Sequence, residues 1–234
     1  MIDIDFAGRN VVVTGATGEL GEAVARSLIA AGATVHAPVR NPEKARSVYA
    51  GSEARIRFGQ VADLADEAAV MAFYAALPPL WASIHAAGGF AMSRFDQTSL
   101  AEFRTMLDTN AISAFLCCRE AVKAIGTRGG RIVNVAAQPG VEPRRGAGKI
   151  AYAASKASVA AITLALAEEV APLSIWVNAV VPSTMDTKTN RRAMPDADHA
   201  KWPKLEEVAA TIAFLASPQN AVTRAALVPV YGFS

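Results

Sequence analysis

Short apolar runs alternate with helical segments along the whole chain, and this alternation constrains the fold more than any other feature. The runs are NVVVTG (10–15), TVHAPV (34–39), RIRFGQ (55–60), WASIHAA (81–87), RIVNVA (131–136), SIWVNAVV (174–181) and AALVPVY (225–231). Several are apolar throughout, as expected of strands buried on both faces. Helical patterns lie between them: ELGEAVARSLIAAG, a segment entered at Pro42, one from about Asp66 to Leu77, a long one over 100–125, and one over 152–170 with Pro172 just beyond its end. The alternation predicts an α/β fold, a doubly wound parallel sheet of about seven strands with helices on both faces.

With 234 residues and 52% hydrophobic residues, the chain can build a sizeable core. No repeat or linker divides it, so a single domain over 1–234 is expected. A net charge of +2 is not the electrostatic footprint of a nucleic-acid binder. The opening MIDIDF is acidic and lacks an apolar run, so no signal peptide is expected. The stretch 68–93 is uncharged, but Pro78-Pro79 interrupts it; it reads as a helix end, a turn and a buried strand, not a membrane span. Cys117 and Cys118 are adjacent in a helical pattern, where side chains diverge, so they are expected to be free in a reducing, cytoplasmic setting. No metal is expected. The long irregular segment 182–204, rich in Pro, Asp and Arg, reads as a flexible lid over a substrate site.

The first strand runs into GATGELG, with Gly15, Gly18 and Gly21 spaced G-x-x-G-x-x-G. At a first strand-to-helix turn, Gly15 permits the tight turn and Gly18 lets backbone approach a pyrophosphate at the helix N-terminus. Gly21 lets helix and strand pack closely. This is a Rossmann-type arrangement for a dinucleotide. The second strand ends at Val39 and Arg40 with no carboxylate, which suits a 2′-phosphate better than a free ribose hydroxyl. NADP(H) is therefore expected ahead of NAD(H). Asp63 follows the third strand, where it either reaches an adenine edge or caps a helix. The small residues of AAGG (86–89) let backbone pass beside a ribose.

Tyr152 and Lys156 are four residues apart on one helix face. A neighbouring ammonium favours the ionised phenol, making it a usable proton donor near neutral pH. Such a donor is what a carbonyl or imine requires when it accepts a hydride.

TGATGELG, AAGG, LDTNAISAF with Asn110, RIVNVA, YAASK and VNAVVP together resemble the short-chain dehydrogenase/reductase superfamily over essentially the whole chain. The resemblance implies that Tyr152 is the general acid/base, that Lys156 lowers its pKa and binds the nicotinamide ribose, and that Asn110 distorts its helix to hold a proton-relaying water. It also implies cofactor contacts from Thr17, Leu20, Leu64, Ala87, Gly88, Gly89, Pro182, Thr184 and Thr187. Val177–Pro182 would shape the nicotinamide side, and dimers or tetramers would form on the 100–125 and 152–170 helices. Two features depart from the common pattern. Glu19 stands where that family's glycine spacing, G-x-x-x-G-x-G, has a glycine, and Ala137 stands where a substrate-orienting serine is usual. Ser155 lies on a different helix face from Tyr152 and is not expected to replace it.

The segments GATGELG, AAGGF, NVAA and PSTMDTKTNRRAMPDADHAKW (182–202) look like the dihydropteridine reductase branch. That branch shares the glycine spacing and the alanine at position 137. Its usual acidic residue after strand two is absent here, and Phe90 replaces its tryptophan. The narrower resemblance implies an NADPH-dependent reductase of an activated quinonoid or pteridine-like acceptor, with Phe90, Ala137, Gln138, Met185 and Trp202 beside the substrate. The alternative is a reductase or dehydrogenase of a ketone, aldehyde or alcohol, with Gln138 or a water in place of the serine. A non-catalytic nucleotide-binding protein is a third reading, disfavoured because Asn110, Tyr152 and Lys156 are all retained. Arg144, Arg145, Lys149, Lys188, Arg191 and Arg192 are expected around the cleft mouth.

Overall fold

The computed structural model describes residues 4–233, so the first three residues of MIDIDF lie outside the described residues. Seven strands are present: β1 (Asn10–Thr14), β2 (Thr34–Val39), β3 (Ile56–Gln60), β4 (Ala82–His85), β5 (Gly130–Val135), β6 (Ile175–Pro182) and β7 (Leu227–Val230). They form one all-parallel sheet in the order β3-β2-β1-β4-β5-β6-β7. Chain direction across the sheet reverses between β1 and β4, which opens a crevice at the carboxyl ends of the strands.

The period of two along each strand divides the apolar residues between two helical layers. Val11, Val13, Ile84 and Val133 face α1 (Glu19–Ala30) and α9 (Leu205–Ala216), meeting Val24, Leu28 and Ile212. Val12, Ile132 and Val177 face the opposite layer. There they meet Val70 of α3 (Glu67–Ala75), Leu116 of α5 (Ser113–Ile125) and Ala167 of α7 (Ile150–Glu169). α7 alone among the described residues is long and apolar enough to cross a membrane, but it packs on the sheet as a core helix. The stretch 68–93 is a helix end, a proline turn and β4, as its sequence implies.

Local signals set several boundaries. Pro42 opens α2 (Pro42–Val48), with Asn41 accepting from Lys44 N. Ser99 and Glu102 form a reciprocal capping box at α4 (Leu100–Met106). Asp66, not Asp63, caps α3, accepting from Ala69 N.

The 100–125 helix is interrupted by a π-helical turn over Leu107–Ile112 that joins α4 to α5, the distortion at Asn110 that the resemblance implies. Two segments differ from the sequence expectation. Segment 182–204 is not irregular. It holds α8 (Lys188–Ala193) and a 3-10 turn at His199–Lys201, and Asp186 pairs with Lys204 in a short parallel bridge. α9 has no counterpart in the sequence reading, because its apolar residues sit in a helix that touches the sheet along most of its length.

Two polar constructions interrupt the apolar layers. At the amino ends of β4, β5 and β6 the Arg131 guanidinium lies between the rings of Trp176 (4.3 Å) and Trp81 (5.2 Å), while Arg9 covers Trp81 at 4.2 Å. Arg131 donates to Gly130 O and Asn220 O, and burial pushes its pKa down to about 10. Beneath the crevice, His85 Nδ1 meets Asn134 Oδ1 at 2.8 Å and Nε2 meets Ser83 Oγ at 2.9 Å. Asn134 continues to Thr163 on α7 (2.9 Å), and Ser83 to Tyr74 on α3 (2.8 Å).

Burial holds the His85 pKa down at about 4, from an ordinary value of 6.5. The unfolded chain therefore takes up this proton first, so His85 contributes stability above about pH 6.5 that is lost as pH falls toward 4. Urea unfolding at pH 7 and pH 5 should show a decline of about 1–3 kcal/mol in the wild type, near 1.4 kcal/mol per pKa unit. The decline should be smaller in His85→Asn. An equal decline in the variant would place the acid sensitivity elsewhere.

Candidate active site

The glycine turn after β1 is closed on two sides. Gly15 has φ +69°, and a Cβ there would come within 2.7 Å of Ala87 N; one on Gly21 would come within 2.0 Å of Gly15 O. Neither position tolerates a side chain, so α1, β1 and the end of β4 are drawn together. Thr14 Oγ1 reinforces this by accepting from Ala87 N at 3.1 Å. A Cβ on Gly18 would meet only Gly15 O, at 3.3 Å, and the turn is otherwise open there. Thr17 and Gly18 are exposed, Leu20 is buried beneath them, and α1 begins without a side-chain cap. Its first amides can serve an anion. This cradle fits a dinucleotide diphosphate.

Arg40 is exposed immediately after the buried Val39. Asp63 is exposed and accepts from Ala65 N at 2.9 Å, holding a turn ahead of α3; Leu64 beside it is half-buried.

Asn110 sits in the π-helical turn, 1% exposed. Its Oδ1 accepts from Gly89 N at 2.9 Å, and its Nδ2 donates to Gly89 O (3.1 Å) and Ser155 Oγ (3.0 Å). Ser155 Oγ in turn donates to Tyr152 O at 2.8 Å. The end of β4, the distorted helix and α7 are thus pinned at one point. Lys156, 6% exposed, donates from Nζ to Val135 O at 2.8 Å. A Cβ on Gly88 would lie 2.7 Å from Asn110 Oδ1 and 3.3 Å from Lys156 Nζ, so AAGG, Asn110 and Lys156 share one small space.

Tyr152 is half-buried, and Phe90 packs edge-on against its ring with centroids 4.9 Å apart. Burial pushes the phenol up to about 12 and the Lys156 ammonium down to about 8, each toward its neutral form. Burial is the cause of the phenol's rise, and the Lys156 ammonium is engaged with Val135 O.

Ala137 is buried in extended backbone at the end of β5 and starts the short helix α6 (Gln138–Val141). α6 lies on α7: a Cβ on Gly140 would be 2.6 Å from Lys156 C. Gln138 directs Nε2 toward Glu142 at 3.3 and 3.4 Å. Glu142 also accepts from Tyr231 Oη (2.9 Å) and Arg145 Nε (2.8 Å). The amide proposed to stand in for a serine is therefore turned toward a carboxylate.

In the loop after β6, Pro182 is buried while Thr184, Met185 and Thr187 are half-buried, and Thr187 caps α8. Trp202, expected beside the substrate, is buried, with its ring tilted against His199 at a centroid distance of 4.5 Å. Of the six basic residues expected at the mouth, Arg145 and Arg191 are paired with Glu142 and Asp186. The sequence reading missed the bridging Ser155, whose one signal is its place three residues after Tyr152. It also missed Tyr231, brought in by a fold contact across 89 positions.

A parallel sheet of this order, a glycine turn at its switch point and a Tyr-Lys-Asn cluster at the same edge define a dinucleotide-dependent oxidoreductase. The family model for short chain dehydrogenase matches residues 9–198, and the chain belongs to that family. It is 33% identical to a 3beta-hydroxysteroid dehydrogenase of Mediterraneibacter gnavus over 82% of this chain and 71% of the relative. It is 32% identical to the 3-oxoacyl-[acyl-carrier-protein] reductase of Rickettsia bellii, over 93% and 92%. Among solved structures, a candidate NAD(P)-dependent gluconate 5-dehydrogenase from Beutenbergia cavernae with bound NADP superposes with TM-score 0.88 at 29% identity, covering 97% of each chain.

Proposed function

We propose that the chain is an NADPH-dependent reductase of a small-molecule carbonyl or of an equivalent conjugated acceptor. The observation that carries the reading is the joint placement of Tyr152, Lys156, Asn110 and Gly88 at the carboxyl edge of β4 and β5, beside the glycine cradle. The relatives named for steroid and acyl-carrier-protein chemistry support a carbonyl/alcohol pair.

The nicotinamide supplies the hydride when bound. Gly15 and Gly21 shape the turn so that Gly18 and the uncapped start of α1 would hold the diphosphate, and Arg40 would take the 2′-phosphate. Tyr152 meets the acceptor as an intact O–H, because burial keeps its pKa near 12, and it gives that proton to the acceptor heteroatom as negative charge develops. Lys156 sits near enough to the Gly88 backbone to hold a ribose. Asn110 and Ser155 fix the Tyr152 end of α7 relative to β4. The apolar residues Ile112, Phe115 and Leu164 are exposed on the π-turn, α5 and α7, which supports association into dimers or tetramers through these helices. The buried free thiols Cys117 and Cys118 agree with a reducing, cytoplasmic location.

Tyr152→Phe should lower turnover by about 10²–10⁴-fold, the usual contribution of general acid catalysis, while NADPH titration stays near the wild type. Wild-type turnover in this variant would assign the proton to another donor.

NADPH should bind more tightly than NADH. Arg40→Ala should remove most of that preference, with a loss of about 1.5–3 kcal/mol for one charge-assisted guanidinium–phosphate contact. Fluorescence titration of both cofactors checks this; equal wild-type affinities would overturn the assignment.

A second reading, reduction of a quinonoid dihydropterin, is favoured by Ala137. The position is buried, extended and without a hydroxyl, and Gln138 turns toward Glu142. An acceptor that is already strongly electrophilic needs little polarisation from the protein. If this reading holds, Ala137→Ser should leave kcat/KM for a quinonoid acceptor nearly unchanged and raise it for plain ketones, by up to the effect of one oxyanion donor, about 10²-fold. Efficient wild-type reduction of plain ketones without reduction of quinonoid acceptors would leave the carbonyl reading alone.

A further inference from the structure

Glu19 stands at the first position of α1, directly after Gly18 of the cofactor cradle, yet its side chain does not serve its own helix. It reaches across 169 positions to the loop after β6. One carboxylate oxygen accepts from Lys188 N at 2.8 Å; the other accepts from Thr189 N at 3.3 Å and Thr189 Oγ1 at 3.1 Å. These are the first two amides of α8, the ones its own cap does not satisfy, since Thr187 Oγ1 takes Asn190 N and Thr187 O takes Arg191 N. Burial acts to raise the Glu19 carboxyl, but the donors from Lys188 and Thr189 hold it below the ordinary carboxylate range.

Among the described residues, the side-chain hydrogen bonds of the rest of α8 run within its own loop. Asn190 Nδ2 donates to Met185 O at 2.8 Å, and Arg191 Nη2 to Asp186 Oδ2 at 2.8 Å. The base of the loop is anchored by Asp186 N on Pro203 O and by Phe233 N on Lys201 O. α8 is thus a small rigid body with a fixed base, and Glu19 holds its tip to the cofactor cradle.

We propose that Glu19 is a positioning residue that couples the two halves of the cleft: its carboxylate fastens the tip of the 183–204 loop to the glycine turn, so that the loop closes over the acceptor only when the turn holds its cofactor-binding shape. The coupling to acceptor binding rests on the reductase reading; the fastening of the loop does not. A glycine at position 19 would leave α8 with two open amides and no link to α1. The departure from the family's common glycine spacing is then the means of the coupling.

The test uses the full-length protein and trypsin, which cleaves after Lys188, Arg191 and Arg192. The wild-type loop should resist cleavage, and saturating NADPH should slow cleavage further. In Glu19→Ala the loop should be cut about tenfold faster, in keeping with the loss of charge-assisted hydrogen bonds, and NADPH should no longer protect it. Glu19→Gln keeps a side-chain acceptor without the charge and should fall between the two, which separates the latch from a general loss of folding. On an accepted carbonyl substrate, Glu19→Ala should raise the acceptor KM about tenfold with kcat changed less than the KM. Cleavage of Glu19→Ala at the wild-type rate, with NADPH protection intact, would overturn the proposal. Fast cleavage in a protein that reduces no carbonyl would sustain the latch and reject the reductase reading.

Discussion

Everything at the site hangs on the Asn110 amide. Its oxygen and nitrogen engage both backbone groups of Gly89, much as a neighbouring strand would, and the second hydrogen on its nitrogen goes to Ser155. A side chain on a regular helix would advance past this point; the π-helical turn at Leu107–Ile112 inserts the extra residue that holds Asn110 against β4. Without that distortion the Tyr152 end of α7 would lose its tie through Ser155 to Gly89, and only the Lys156–Val135 and Thr163–Asn134 bonds would supplement its apolar packing on the sheet. Apolar packing is non-directional, whereas proton transfer requires a heavy-atom distance held within a few tenths of an ångström.

Lys156 presents a related problem of charge. An ammonium 6% exposed, with no carboxylate bonded to it, is expensive to keep ionised, and the fall of its pKa to about 8 expresses that cost. The single carbonyl of Val135 satisfies one of its three donors. The remaining donors face the narrow space beside Gly88, where ribose hydroxyls would complete them. The same desolvation favours the neutral form of the Tyr152 phenol.

Much of this architecture is legible in the residues. The strand runs announce themselves because parallel strands buried on both faces are apolar throughout, and the seven strands fall close to their expected bounds. Gly15 and Gly21 are readable because no other residue fits their contacts. What escapes is set by contacts distant in sequence. The reach of Glu19 to Lys188, and of Tyr231 to Glu142, depends on how the layers close. Trp202 looks like a ligand-facing aromatic in sequence, but the fold turns it onto His199. Helical spacing shows that Tyr152 and Lys156 share a face, but not how deeply the fold buries the phenol.

The three tryptophans fall into two unlike surroundings. Trp81 and Trp176 flank Arg131 at the amino ends of the central strands, opposite the crevice. Trp202 lies at the base of the loop after β6, against an imidazole. The protein therefore carries its own optical gauge. Two indoles would give a steady background from the sheet, and the third would change its emission if the loop loosened, without any dye being attached.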